Sequence, residues 1–433
     1  MLTQDQNEFL TRTGPDTPGG NWMRRYWLPV ALCADVPQGS APLPLKILSE
    51  DLVLFRGEDD SLGLLGLLCP HRCADLSYGR IEDGGLRCLY HGWLFDKAGR
   101  CLDQPAEPEE STYKNEIQHL SYPVVEKAGV VFAYMGPGAP PPFPDYEFLR
   151  VPEGHRAIYK MQLECNFFQA CEGDFDPSHV SYLHRRLTSE PNAGVIPGGD
   201  GNKDAGSYFA ENIRPKLSFE KTDYGVRIFS TRAVAGGKTY LRVTNFLLPS
   251  LACIAGRQEG GNGYTAVWRV PIDDHNHWRF GFQFEKRAPL DRKRYDEQTQ
   301  REITADHRLV RNQRNRYLQD RDSMSRENYT GMGTQFFVHD AYAAETQGAI
   351  QDRRREHLAT GDIIIAAVRR LLRESIEAVQ RGERPTNVLT PEADANYPQL
   401  AVINTLLDAN ADIASHVKSV IAQQKQANVA EKV

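Results

Sequence analysis

Cysteine is scarce in this 433-residue chain: eight residues, at positions 33, 69, 73, 88, 101, 165, 171 and 253, scattered rather than arrayed. That excludes a disulfide framework and fits thiols kept reduced, so the cytoplasm is the expected compartment. A basic surplus is missing too. Lys and Arg total 51 against 57 Asp and Glu, a formal charge of −6, and no basic stripe stands out. Nucleic acid and anionic membrane surfaces are therefore not expected partners. No apolar run approaches the roughly 20 residues of a membrane-spanning helix. The opening segment MLTQDQNEFLTRTGPDTPGG lacks the basic stretch and apolar run of a secretory signal. Also absent are a G-x-G-x-x-G following a strand and a C-x4-C-x2-C run, so no dinucleotide-binding or plant-type ferredoxin module is expected within the chain.

What is present suffices for two or three domains with a substantial core. Residues 1–23 are polar and rich in Gly, Pro and Thr, and read as an arm. Short apolar stretches at 26–32, 45–48, 52–55 and 64–68, broken by Gly, Pro and Asp, predict a small antiparallel β domain over residues 24–140 that closes in a hairpin at 124–135. The Pro-dense segment GPGAPPPFPDY, residues 136–146, marks a boundary. Residues 141–433 read as an α+β domain, an antiparallel sheet with surrounding helices. Strands are expected at 157–163, 216–233, 239–248, 265–270 and 278–285, the last alternating most clearly. Helices are expected over 166–185, 336–382 and 398–426, with a charged, partly helical stretch at 289–328.

Two pairs carry the first chemistry. Cys69-Pro-His71 is separated by sixteen residues from Cys88-Leu-Tyr-His91, which continues into Gly92-Trp93. Two thiolates and two imidazoles on two short loops are the donor set of a Rieske [2Fe–2S] centre, where two histidines replace two cysteines on one iron. Zinc takes the same residue types, but its ribbons and fingers pair like ligands, as C-x(2–4)-C and H-x(3–5)-H, whereas each pair here mixes Cys with His. Cys73 and Cys101 fall outside the pairs and read as ordinary residues.

The second motif is Asp176-Pro-Ser-His179-Val-Ser-Tyr-Leu-His184. On a helix Asp176 and His179 share a face, while His184 lies about 140° further round. Both imidazoles reach one metal only if the helix is distorted or the metal sits near its end. Two unrelated surface histidines are the plainer reading of these residues alone. Two histidines and a carboxylate, leaving open positions, form the facial triad of non-haem Fe(II) oxygenases.

Taken in order, C-P-H-R, C-L-Y-H-G-W and D-x-x-H-x-x-x-x-H resemble the α subunits of Rieske non-haem iron oxygenases, over most of the chain. The stretch Glu345-Thr-Gln-Gly-Ala-Ile-Gln-Asp352-Arg, with Glu356-His-Leu beyond it, is similar to phthalate-dioxygenase-like members, which generally lack a small β subunit. The resemblance implies a [2Fe–2S] cluster on Cys69, His71, Cys88 and His91. It implies a mononuclear Fe(II) on His179, His184 and an acid from a C-terminal helix. Asp340 is the best match for that acid, with Glu345 and Asp352 as competitors on the same stretch. Asp176 would link His179 to His91 of a neighbouring subunit in a head-to-tail trimer or two stacked trimers; as a residue alone it reads equally as an N-cap before Pro177.

The implied reaction uses O2 and electrons from a separate reductase, carrying flavin or another Fe–S cluster and fed by NAD(P)H. The implied substrate is a small aromatic acid. Arg242 is a candidate to hold its carboxylate, against the reading of a solvent-facing strand residue, and Asn166 either lines the pocket or caps a helix. Arg185 and Arg186 read as surface or interface residues. Ring dihydroxylation, monooxygenation, demethylation and ether cleavage share the same iron ligands. A non-catalytic Rieske electron carrier explains residues 69–93 and leaves the rest unused, and a zinc-stabilised binding module explains neither motif.

Overall fold

The computed structural model describes residues 1–188, 205–255, 262–390 and 400–430. Two compact units emerge, the smaller comprising Arg12–Phe143 and Val270–Asp274, the larger Met1–Thr11, Pro144–Arg269 and His275–Val433. Residues 1–23, read from the sequence as an arm, fold mainly as helix α1 (Gln4–Thr11), in the larger unit, and a short helix over Pro18–Met23 in the smaller.

Three antiparallel sheets build the smaller unit. Trp27–Leu32 pairs with Val130–Tyr134, which also pairs with Val124–Lys127, the expected hairpin. Leu43–Ile47, Glu50–Arg56, Leu62–Gly66 and Ser121–Tyr122 form the second sheet. The third contains Arg80–Glu82, Gly85–Arg87, Leu94–Phe95 and Cys101–Asp103. Val53, Phe55, Leu65, Leu86 and Phe95 pack with Cys69, Cys88 and Trp93 in one buried cluster, so both Cys–His loops are rooted in the core.

Those two loops are built alike. The carbonyl of Cys69 accepts from Cys73 N at 2.8 Å, and that of Cys88 from Gly92 N at 3.0 Å. The residue four after each cysteine takes the left-handed conformation, Cys73 with φ 57° and Gly92 with φ 76°. Glycine reaches that region without steric cost, so the glycine of C-L-Y-H-G-W is required by the turn.

The larger unit is organised on an eight-stranded sheet. Its strands are β1 (Arg156–Leu163), β2 (Lys216–Lys221), β3 (Gly225–Val234), β4 (Lys238–Leu247), β5 (Leu251–Ile254), β6 (Thr265–Pro271, the last two residues of which belong to the smaller unit), β7 (His277–Phe284) and β8 (Ile403–Asp408). The order is β1-β7-β6-β5-β4-β3-β2, with β8 on β4. Strand β4 meets β3 along one edge, and β8 then β5 along the other, all antiparallel. Ser230, Arg242 and Asn404 stand side by side in that register.

Three expected helices differ. The first, over 166–185, is only α2 (Phe167–Phe175), because the residue before a proline is pushed out of the helical region and Asp176 sits at φ −86°, ψ 113° before Pro177. The second, over 336–382, is two helices, α3 (Phe336–Glu345) and α4 (Ile363–Gln380), separated by turns that include Gly348 at φ 96°. The third, over 398–426, contains strand β8 followed by α5 (Ile413–Ala430); its first two residues, 398 and 399, lie outside the described residues. Pairing with β4 outweighs a weak helical periodicity there. No helix among the described residues is long and apolar enough to cross a membrane.

Candidate functional site

In the smaller unit, Cys69 and Cys88 are buried beside each other. Burial first, and then the facing Cys88, push the Cys69 thiol up to about 12. The rings of His71 and His91 lie 4.4 Å apart, and Trp93 stacks on His71 at 4.5 Å and 6°. Burial, His71 and Arg72 lower the pKa of His91, whose Nδ1 is buried without a hydrogen-bond partner among the described residues. Two thiols and an orphaned imidazole nitrogen, on loops rooted in the core, fit a group that takes two sulfur and two nitrogen donors.

In the larger unit the end of α2 at Asp176 shapes the second site. Asn166 caps α2, accepting from Phe168 N at 3.1 Å and donating to Thr11 O at 2.9 Å. It is fully buried and is not among the residues lining the cavity, which corrects its reading as a substrate contact. Beyond the helix, the Asp176 carboxylate accepts from Ser178 N at 2.7 Å and His179 N at 3.2 Å. A single 3-10 turn over His179–Ser181 follows, and beyond it His184 comes to lie beside His179. Their Nε2 atoms are 3.1 Å apart.

Asp340, on α3, completes the group. Its Oδ1 lies 3.0 Å from His184 Nε2 and 3.9 Å from His179 Nε2, and the three donor atoms all fall within 4.8 Å of one another. Metal–ligand bonds of roughly 2.1 Å meeting at right angles separate donor atoms by about 3.0 Å; the His179–His184 and His184–Asp340 separations match adjacent positions on one ion, and the 3.9 Å between His179 and Asp340 is wider. The other acids are engaged elsewhere. Glu345 is buried, accepting from Tyr317 Oη and from Glu164 N at 2.9 Å, and Asp352 pairs with Arg354 at 2.8 Å.

Burial opposes the charge on Asp340, but His184 and His179 hold it well below the usual carboxylate range. Burial also resists protonation of His179, yet Asp176 and Asp340 raise its pKa, whereas burial prevails at His184 and lowers it. Asp176 is lowered against its burial by His179, whose Nδ1 is 3.4 Å away. That contact is electrostatic, since its alignment falls short of a hydrogen bond. Behind the turn, Arg269 grips Asp174 with two bonds of 2.8 Å, both side chains buried.

The donor triad lines a cavity of about 590 Å³. Ile228, Ile254, Val267 and Phe336 supply apolar wall, and Arg242 and Arg279 bring guanidinium groups into it. Arg242 donates to Ala255 O at 2.6 Å and lies 5.1 Å from the Phe209 ring centre, while its Nε has no partner among the described residues; burial lowers its pKa. Its charge is felt at His184. Arg279 donates to Tyr159 Oη and acts on Asp340.

Sequence reasoning missed Arg279, and it placed Arg186 at the surface although Arg186 lines the cavity. It also missed Phe336 and His339. Phe336 stacks on His184 at 4.5 Å, and His339 Nδ1 lies 3.3 Å from His184 Nδ1. The available signal was helical spacing, since Phe336, His339 and Asp340 stand at i, i+3 and i+4 on one face of α3.

Known proteins resemble this chain along most of its length. The Rieske [2Fe-2S] domain family matches residues 26–120, and the family described as LigXa C-terminal domain like matches residues 133–432. The chain is 34% identical over 405 residues to the phthalate 4,5-dioxygenase oxygenase subunit of Pseudomonas putida, covering 88% of each. It is 30% identical over 447 residues to the 5,5'-dehydrodivanillate O-demethylase oxygenase subunit of a Sphingobium species, covering 98% of this chain and 94% of that one. Among solved structures, the terminal oxygenase of carbazole 1,9a-dioxygenase from Nocardioides aromaticivorans shares the fold, with a TM-score of 0.59, 19% identity, and coverage of 87% and 98%.

Proposed function

The chain belongs to the Rieske-type oxygenases, and from that premise we propose that it is the terminal oxygenase of a multicomponent system that hydroxylates a small aromatic carboxylate with O2. The observation that carries this reading is the convergence of His179, His184 and Asp340 on a largely apolar cavity walled in part by Arg242. Residues 24–140 serve as the Rieske domain and 141–433 as the catalytic domain. Cys69, His71, Cys88 and His91 hold the cluster, and His179, His184 and Asp340 hold the iron. When bound, the cluster supplies single electrons and the Fe(II) activates O2 for insertion into carbon.

The chain's own residues bind, orient and exclude water. Ile228, Ile254 and Val267 give an aromatic ring an apolar bed, and the stacked Phe336 holds the His184 ring in place. Arg242 is a half-buried cation with one short bond and an Nε unpaired among the described residues, which suits a substrate carboxylate. Electrons come from a separate reductase carrying flavin or Fe–S and fed by NAD(P)H, in keeping with relatives named as oxygenase subunits. Asp176, already oriented by the Ser178 and His179 amides, links His179 to His91 of a neighbouring chain in a cytoplasmic trimer or stacked-trimer hexamer. A second reading, monooxygenation with demethylation or ether cleavage, is favoured by the O-demethylase subunit that matches 98% of this chain.

Iron analysis with a screen of aromatic acids and ethers tests the proposal. Three irons per chain, and product formation coupled to O2 uptake, are expected; zinc, or only two irons in fully loaded protein, overturns it. Arg242→Met should raise KM for the carboxylate about 10–100-fold with kcat nearly unchanged, from roughly 1.5–3 kcal/mol for hydrogen bonds to a charged group. An equal rise for the methyl ester of the same substrate would remove Arg242 from that role.

A further inference from the structure

The ring of His184 is held at three points, and one of them has no part in the function derived so far. Its Nε2 faces Asp340 Oδ1 at 3.0 Å, and its face is covered by Phe336. Its Nδ1 lies 3.3 Å from Nδ1 of His339, the two rings inclined by only 21°, close enough to coplanar for an in-plane hydrogen bond. Which nitrogen donates is decided on the far side of His339. There Nε2 is 3.0 Å from the carbonyl oxygen of Gly333, and a carbonyl only accepts, so the His339 proton sits on Nε2. With one proton per ring, Nδ1 of His339 carries a lone pair and Nδ1 of His184 must carry the hydrogen. The remaining lone pair of His184 is then on Nε2, the atom turned toward Asp340 and His179.

We propose that His339 is a positioning residue for the mononuclear metal site, accepting a hydrogen bond from His184 Nδ1–H and so fixing the tautomer and angle that present His184 Nε2 to the metal. The inference rests on the iron reading above. It follows the general rule that a ligating imidazole is oriented through its other nitrogen, and here the acceptor is a second imidazole, itself anchored to Gly333 ahead of α3. Because Phe336, His339 and Asp340 lie on one face of α3, a single helix supplies a metal ligand and both contacts that orient the ligand from the other segment. His339 is almost fully buried, so no water stands in for it.

The test compares wild type, His339→Leu and His339→Asn in holoprotein whose cluster absorption is intact. The readouts are Fe(II) affinity at the mononuclear site, by competition with a chelator, and the EPR signal of its ferrous nitric oxide adduct. Leu fills the space without an acceptor, and should weaken Fe(II) binding about 10–100-fold and change the rhombicity of the EPR signal. Asn places an oxygen near the position of Nδ1, and should restore most of the affinity and the wild-type signal. Unchanged affinity and spectrum in His339→Leu would overturn the proposal, as would an Asn variant no better than Leu. If the Leu variant fails to fold, an iron-loaded crystal structure of the wild type decides: a Nδ1–Nδ1 separation at hydrogen-bond distance supports the proposal, and one well beyond it ends it. A wild type that takes up no mononuclear Fe(II) would remove the iron reading itself, which no result on the variants alone can do.

Discussion

Asp340→Ala is expected to abolish substrate oxidation and empty the mononuclear site, with the visible spectrum of the cluster unchanged. Asp340 is the acid whose oxygen lies 3.0 Å from His184 Nε2, and it brings the charge of the donor triad. Two neutral imidazoles alone neither neutralise a divalent ion nor fix a facial geometry. Outer partners of metal ligands are worth about 10–100-fold in affinity or activity, so loss of a direct ligand should exceed that range. The competitors supply the control. Asp352 is tied to Arg354 near the surface, and Asp352→Ala should leave iron and activity in place. Glu345→Ala removes the acceptor of Tyr317 and Glu164 N and should cost stability ahead of iron. If Asp340→Ala retained both iron and turnover, the triad would be misassigned; iron analysis and O2 uptake measured on the same sample decide it.

The two metal motifs differ in how much of them could be read from residues alone. Cys69 with His71, and Cys88 with His91, are local: each pair lies within one turn, and the spacing itself encodes the geometry, down to the glycine at position 92. His179 and His184 announce a metal by type, but their convergence depends on the helix ending at Phe175 and on Asp176 capping the next turn. Pro177 was the visible sign of that break. Asp340 comes from far along the chain, where the stretch holds several acids and only packing chooses among them. Alternation along β4 puts Arg242 on one face of the sheet but does not say that this face lines the cavity. Strand β8 was unreadable for the same reason, because its partner β4 lies far away in sequence and its own pattern is weak. His339 acts through one ring edge, whose direction is set by α3 docking rather than by local sequence.

Glu172→Leu should destabilise the larger unit by about 3–5 kcal/mol, the range for removing one partner of a buried ion pair. Glu172 projects from α2 into a network that joins four parts of the chain. Arg353 reaches it at 2.7 Å and Asn7 of α1 at 2.9 Å, while Arg369 of α4 reaches it at 2.6 Å and also binds Glu356. Arg353 is completely buried, so removing the carboxylate leaves it with an amide as its polar partner. Burial opposes the charge on Glu172, but Arg353 and Arg369 win and lower its pKa. A depressed carboxylate stabilises above its unfolded value and loses that contribution as pH falls. The difference between wild type and Glu172→Leu should therefore be full near neutrality and shrink only below the ordinary glutamate value of 4.5. Chemical denaturation across pH measures it. Glu172→Leu combined with Arg353→Met should recover much of the loss, since apolar groups of similar volume replace a buried pair at little cost. A single-variant loss under about 1 kcal/mol would mean that the network behaves like a surface pair. Because α2 ends where the Asp176–His179 turn begins, the destabilised variant should also release iron faster than wild type while its cluster spectrum stays the same.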